Sequence, residues 1–275
     1  MLLDFTSKTE EISVKRDCFA ALLSLDCGQA FRWKKTGENE IHGVAFGKSL
    51  TVRQDAETVT FIGTNEEDFQ KIWVPYFDLE RDYAALCERF SADGWLEKAV
   101  NEYYGIRILR QEPWEAVCSF IISQNNNIPR IKGIIDRLCE NLGEPLGNGD
   151  FTFPTAEKIA ASGVEALAPL RAGFRAKYII DAAEKVASGE VDFAKIFNSD
   201  LETGRDELIK IKGVGEKVAQ CALLYGFGKI DAFPVDVWVK RIWLSFIPTV
   251  CPNVSTVQEA LPSSIFSIGE ETFDQ

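Results

Sequence analysis

Histidine and paired cysteine are scarce in this chain of 275 residues. It has one histidine, His42, and seven cysteines with no Cys-x-x-Cys pair among them. A catalytic relay built on histidine could draw only on His42, which sits in a strand-like run. A metal site would have to rest on carboxylates. The cysteines, at 18, 27, 87, 118, 139, 221 and 251, are odd in number and scattered. That spacing speaks against a zinc site, an iron–sulfur cluster and a disulfide framework. Reduced core thiols are expected, with no metal and no cofactor. Long apolar runs are missing too. "ALLSL" is far too short to cross a bilayer, and the opening "MLLDFTSKTEEI" turns acidic within a few residues, unlike a signal peptide. The expectation is a soluble, intracellular protein with no membrane partner. An excess of basic charge is also absent: the net charge is −12. Taken alone this argues against nucleic acid, which wants a basic footprint. The average hides an asymmetry, however. Arg205 to Arg241 holds seven Lys/Arg against five Asp/Glu, and the residues after Arg241 hold no base and four acids. A small basic face on an acidic body is compatible with that distribution.

What is present begins with a hydrophobic content of 46%, enough for one large core or two ordinary ones. Residues 10–75 read as sheet. "EIHGVAFG", "SLTVRQD" and "TVTFIGT" alternate between apolar and polar positions and are separated by Gly, Asn and Asp turns. "CGQAFRWKK" adds a further strand after a glycine turn, and the short connections imply antiparallel pairing. After about Pro75 the period changes to that of helices. "DLERDYAALCERF", "GWLEKAVNEYYG", "PWEAVCSFIISQ", "IPRIKGIIDRLCENLG", "TAEKIAAS", "RAKYIIDAAEKVAS" and "GRDELIKI" carry apolar residues at helical spacing and end in Gly, Pro, Asp or Ser. The expected class is α+β: a small N-terminal antiparallel sheet domain with linking helices over 1–108, then a mainly helical domain over 109–275.

The stretch "DELIKIKGVGEKVAQCALLYGFGKIDAFPVDVWVKR", residues 206–241, carries the chemistry. A helix ends near Ile211, and a second begins at about Glu216. Between them, Gly213-Val214-Gly215 makes a tight turn of the kind that needs glycine. The exposed N–H groups of the turn and the helix start can hold a phosphate. An ordinary helical hairpin would use the same turn. Lys217 sits in the first turn of the second helix, where the dipole favours loss of its proton, and a neutral lysine amine is a nucleophile that can form a Schiff base. A solvated surface lysine is the plainer reading. Asp236, after Pro234-Val235, is placed to cap the next helix; facing the lysine across the hairpin, it could also stabilise positive charge or shuttle protons. Cys221, one turn from Lys217, could share its pocket or be a core thiol.

Together "GVGEKVAQCALLYGFGKIDAFPVDVWVKRI" resembles the helix-hairpin-helix plus Gly-Pro-Asp signature of the DNA glycosylase superfamily, and within it the 8-oxoguanine DNA glycosylase/AP lyase branch. "LRQEPWEAVCSFIISQNNNIPRIKGIIDRLC" and "CGQAFRWKK" resemble two further stretches of that branch, in the right order. The likeness runs from about residue 1 to about 247. It implies Lys217 as the nucleophile at C1′ of the damaged nucleoside and Asp236 as the carboxylate opposite the sugar cation. The base is first flipped out of the stack. Gly28 resembles the glycine whose carbonyl accepts N7–H of 8-oxoguanine, a hydrogen bond that guanine cannot donate; otherwise it is a turn glycine. Cys221 joins it at the base pocket. Asn125 resembles the residue that fills the gap in the duplex, Arg130 and Arg175 those contacting the estranged cytosine, and Phe174 an aromatic wedge beside them. Outside the resemblance, the asparagines would be a loop or a helix cap and the arginines surface salt bridges. Gly213 and Gly215 would hold DNA phosphates.

The resemblance thus implies a bifunctional base-excision-repair enzyme acting on double-stranded DNA with 8-oxoguanine opposite cytosine. It would work as a monomer, in the cytoplasm, nucleoid or nucleus, without metal or cofactor. The family chain usually ends in a helix that supplies a stacking aromatic and a glutamine. The tail from about 249 is atypical, and Phe273 and Gln275 are its candidates. An alkylated-base glycosylase would lack Lys217. Adenine and thymine-glycol glycosylases would carry four clustered cysteines. A non-catalytic reader of damaged DNA would need neither Lys217 nor Asp236, and a protein-interaction scaffold would show no salt-sensitive DNA binding.

Overall fold

The computed structural model describes residues 5–94, 96–237 and 239–241; Cys251, Phe273 and Gln275 lie outside them. The chain opens with β1 (Phe5–Lys8) and β2 (Glu11–Lys15), turns through helix α1 (Ala21–Asp26), and continues with β3 (Trp33–Gly37), β4 (Glu40–Ala45), β5 (Lys48–Gln54) and β6 (Thr58–Ile62). These strands form an antiparallel sheet in the order β1-β2-β6-β5-β4-β3. Alternation does what the pattern requires. Ile12 and Val14 on β2, Leu50 and Val52 on β5, and Val59 and Phe61 on β6 are all buried. The register sets Ile12 opposite Phe61 and Val14 opposite Val59. Trp33 lies across Gly43, where a β-carbon would come within 2.5 Å of the indole. Glycine there lets the ring sit flat on the sheet.

The sheet reading needs three corrections. Ala21–Asp26 is the helix α1 rather than extended. "CGQAFRWKK" is a strand only from Trp33; Cys27 to Arg32 is an irregular bend, because Gly28 takes a left-handed φ of +92°. Residues 66–76 are helical rather than extended: α2 (Glu66–Asp68), a π-helical turn (Phe69–Trp73) and α3 (Val74–Tyr76). They bring Phe69, Trp73, Tyr76 and Phe77 onto the sheet, and aromatic burial outweighs the local pattern.

The helical part follows: α4 (Tyr83–Ser91), α5 (Leu96–Glu102), α6 (Pro113–Ser123), α7 (Ile128–Leu142), α8 (Ala156–Ala166), α9 (Arg175–Ala187), α10 (Phe193–Asn198), α11 (Leu201–Ile209) and α12 (Glu216–Tyr225). Its core centres on α6, which is apolar nearly all round and buries Ala116 to Ile122. A helix with that pattern has to be enclosed by others.

Polar contacts fasten the sheet to the helices. Arg32 pairs with Glu115 at 3.3 Å, both side chains buried, and also donates to the Phe151 carbonyl. His42 Nε2 meets Asp150 at 2.8 Å, and Ser49 donates to the same carboxylate. His42 is therefore a structural link.

Candidate active site

The hairpin between α11 and α12 is closed by packing as much as by glycine. Gly213 has φ +78°, and a β-carbon there would fall 2.3 Å from the ring of Tyr178. The Lys212 N–H donates to Asp181 Oδ2 at 2.7 Å, tying the turn to α9. Gly215 behaves differently. Its backbone is extended (φ −99°, ψ −176°) and it caps α12 without a side chain. A β-carbon there would meet nothing within 4 Å. The first N–H groups of α12 thus carry no side-chain cap, which is the geometry that receives an anion.

After α12 the chain folds back across it. Gln220 holds both sides: its amide donates to Glu216 at 2.8 Å, and its oxygen accepts the Phe233 N–H at 3.2 Å. This clamp delivers Asp236 to the cavity wall. Asp236 Oδ1 accepts the Val239 N–H at 2.8 Å, the N-cap geometry anticipated from the sequence.

Lys217, Cys221, Asp236 and Gly28 line one cavity of about 1120 Å³. The Cys221 thiol feels both charges. Burial and the Asp236 carboxylate push it up while Lys217 pulls it back, leaving it at about 11, so it is a neutral thiol at physiological pH. Lys217 makes no hydrogen bond or ion pair among the described residues, Asp236 included. Its half-buried amine faces the cavity unspent. Gly28 is positioned through its neighbour. The Gln29 side chain donates to the Arg107 carbonyl at 2.7 Å and accepts the Leu109 N–H at 3.0 Å. Gln111 then joins the two walls: its side chain donates to the Gln29 carbonyl at 2.6 Å and its N–H to the Tyr225 carbonyl at 2.7 Å.

Asn125, Arg130, Phe174 and Arg175 form a second cluster, at the loop joining α6 to α7. The three asparagines divide the work. Asn125 is exposed and left-handed, with φ +45°. Asn126 donates to the Ile122 carbonyl at 3.0 Å. Asn127 caps α7 by accepting the Arg130 N–H at 3.0 Å. Arg130 is exposed in the first turn of α7. Phe174 is 51% exposed and meets Tyr178 edge-on, ring centroids 5.7 Å apart, which links this cluster to Gly213.

Arg175 departs from expectation. It is only 2% exposed, and its guanidinium donates to the carbonyls of Gln124 at 2.9 Å, Asn125 at 2.8 Å and Ala172 at 3.2 Å. The left-handed turn at Asn125 leaves the Gln124 and Asn125 carbonyls free of helical partners, and a buried guanidinium must find acceptors. In this structure Arg175 is thus not a surface salt bridge; it braces the loop that carries Asn125.

Several lining residues escaped the sequence reading: Ile128, against Gly28; Phe120; and Tyr225. Tyr225 was within reach, since Lys217, Cys221 and Tyr225 recur every four residues. Among the described residues, no cluster of His, Cys, Asp or Glu is arranged to hold a metal ion, and no helix is long and apolar enough to cross a membrane.

An antiparallel sheet followed by a helical core, with a glycine hairpin presenting a lysine opposite a helix-capping aspartate, defines a helix-hairpin-helix DNA glycosylase fold. Sequence comparison agrees. Residues 11–117 match the 8-oxoguanine DNA glycosylase N-terminal domain, and residues 118–251 match the HhH-GPD superfamily of base excision DNA repair proteins. The chain is 33% identical over 252 residues to the N-glycosylase/DNA lyase of Saccharomyces cerevisiae, an alignment covering 79% of this chain and 65% of that protein. It is 29% identical to N-glycosylase/DNA lyase OGG1 of Arabidopsis thaliana, over 82% of this chain and again 65% of that one. The chain thus spans just under two thirds of these curated relatives. A crystal structure of the Clostridium acetobutylicum 8-oxoguanine glycosylase/lyase, in complex with double-stranded DNA containing cytosine opposite 8-oxoguanine, superposes with a TM-score of 0.86. It is 38% identical, covering 94% of this chain and 90% of that one. The chain belongs to the 8-oxoguanine DNA glycosylase family.

Proposed function

We propose that the protein is a DNA glycosylase with AP lyase activity that removes 8-oxoguanine opposite cytosine. The observation that carries this reading is the cavity in which Lys217, without an ion pair among the described residues, the capping carboxylate of Asp236, Cys221 and Gly28 converge. With the damaged nucleotide extruded into it, the Lys217 amine attacks C1′ and the C1′–N9 bond breaks, its electron pair leaving with the base. Asp236 stabilises the positive charge that develops on the sugar. The amine loses its proton, the sugar ring opens to a Schiff base, and loss of a C2′ proton expels the 3′ phosphate by β-elimination. The Gly28 carbonyl accepts N7–H from 8-oxoguanine and faces the lone pair of N7 in guanine. Gly213 and Gly215 present backbone N–H groups to phosphates. Asn125 fills the vacated place in the duplex, Phe174 wedges beside it, and Arg130 contacts the opposite base. Arg175 acts as a positioning residue for the Asn125 loop. The protein works as a monomer inside the cell and needs no metal or cofactor.

The test is single-turnover cleavage of labelled duplexes containing 8-oxoguanine or guanine opposite cytosine, in EDTA. The account expects release of 8-oxoguanine with strand scission, and about 10³-fold or greater discrimination against guanine. Preferential binding of the 8-oxoguanine duplex without turnover contradicts it and favours the non-catalytic reader.

A further inference from the structure

Tyr225 continues the face of α12 that carries Lys217 and Cys221, but the reaction proposed above makes no use of it. Its place is fixed before anything binds. The ring stacks on Phe120 with centroids 5.4 Å apart and planes 20° from parallel. Its carbonyl is held by the Gln111 N–H at 2.7 Å. The next residue, Gly226, ends α12 so close to α6 that a β-carbon would lie 2.9 Å from Ala116 Cβ. Burial, the thiols of Cys221 and Cys27, and the Asp236 carboxylate all hold the phenol in its protonated form. Cys27 adjoins Gly28, so the groups acting on the hydroxyl come from both walls of the cavity. Among the described residues the hydroxyl has no hydrogen-bond partner. A fixed polar group in a largely apolar pocket, left without a protein partner, is what orients a bound ligand.

We propose that Tyr225 is a specificity-determining residue, its hydroxyl donating a hydrogen bond to a carbonyl oxygen of the extruded base. The inference rests on reading the cavity as the pocket for that base. It adds to the Gly28 contact a recognition element of opposite polarity: Gly28 offers an acceptor and Tyr225 a donor. An oxidised purine presents both complements, a ring N–H and carbonyl oxygens. The phenol gives the pocket a donor that carries no charge.

Tyr225→Phe removes one oxygen and keeps the ring on Phe120. Two rates are measured on the same variant: excision from an 8-oxoguanine·cytosine duplex, and strand cleavage at a pre-formed abasic site opposite cytosine. The second reaction has no base for the hydroxyl to bind. The ratio of excision to abasic-site cleavage is expected to fall about tenfold relative to the parent. A general packing defect would lower both rates together and leave the ratio unchanged, which overturns the proposal whatever the variant's stability. If the parent excises 8-oxoguanine and the ratio does not move, Tyr225 has no such role while the cavity reading stands. If the parent cleaves abasic sites but leaves 8-oxoguanine in place, the cavity reading and this proposal fall together.

Discussion

The two arms of the hairpin spend their lysines differently. Beside α11, Lys195, Lys210 and Lys212 each have a carboxylate. Lys195 and Lys210 reach Glu207 at 2.6 and 2.5 Å, and Lys212 reaches Asp181 at 3.3 Å. On α12, five residues past Lys212, Lys217 has no ion pair among the described residues and lines a cavity with Asp236. Paired charge locks the hairpin against α9 and α10. On the proposed mechanism the Lys217 amine, without an ion pair among the described residues, is the group that forms the bond, and Asp236, lining the same cavity, answers the charge that reaction creates. On that proposal one lysine-rich segment divides into scaffold and reagent, and substitutions in the two arms should have separable effects.

The largest effect belongs to Lys217. Lys217→Gln should lower excision and abasic-site cleavage by at least about 10³-fold. Stability should stay within about 0.5 kcal/mol, because no hydrogen bond or ion pair among the described residues is lost. Parallel activity and denaturation assays check this.

Glu207 reverses that pattern. It is 2% exposed. Burial pushes its carboxyl up, but the two ammonium groups and the Asp192 N–H outweigh burial and bring it down to about 2. A carboxyl depressed in the folded state stabilises fully above the ordinary glutamate range of about 4.3, and the contribution is lost as pH falls from there toward 2. Glu207→Gln should therefore cost about 2–3 kcal/mol at pH 7 and much less at pH 3, with residual folded protein still able to cleave. Urea denaturation at the two pH values reads the difference.

The hairpin glycines divide in the same way. Gly213→Ala has to fit a β-carbon against Tyr178 at a left-handed φ, and should cost about 1–3 kcal/mol. Gly215→Ala meets neither obstacle. It should leave stability within about 0.5 kcal/mol and weaken duplex affinity only about threefold, by crowding the anion-facing N–H groups. Titration against duplex DNA alongside thermal melts separates the two.

Much of this organisation was legible in the chain because it is local. The alternation in β5 and β6, the glycine turn, the start of α12 at Glu216 and the cap at Asp236 each depend on a few neighbouring residues. What was hidden depends on distant partners. Arg175 reads as a surface arginine until the loop at Asn125 folds over it. The bend from Cys27 to Arg32 follows the left-handed Gly28 and the hydrogen bonds of Gln29. Residues 66–76 become helical to bring aromatics onto the sheet. Tyr225 is not singled out by the motif, although its interval from Lys217 and Cys221 places it on their face.

The central claim is that Lys217 forms a covalent bond with the sugar of damaged DNA. The direct test is borohydride trapping on a duplex with one 8-oxoguanine opposite cytosine, followed by proteolysis and mass spectrometry of the adduct. The account predicts a stable protein–DNA adduct on damaged duplex alone, mapped to the peptide containing Lys217 and absent from Lys217→Gln. An adduct mapped to another lysine, or none from protein that binds the duplex, would contradict it.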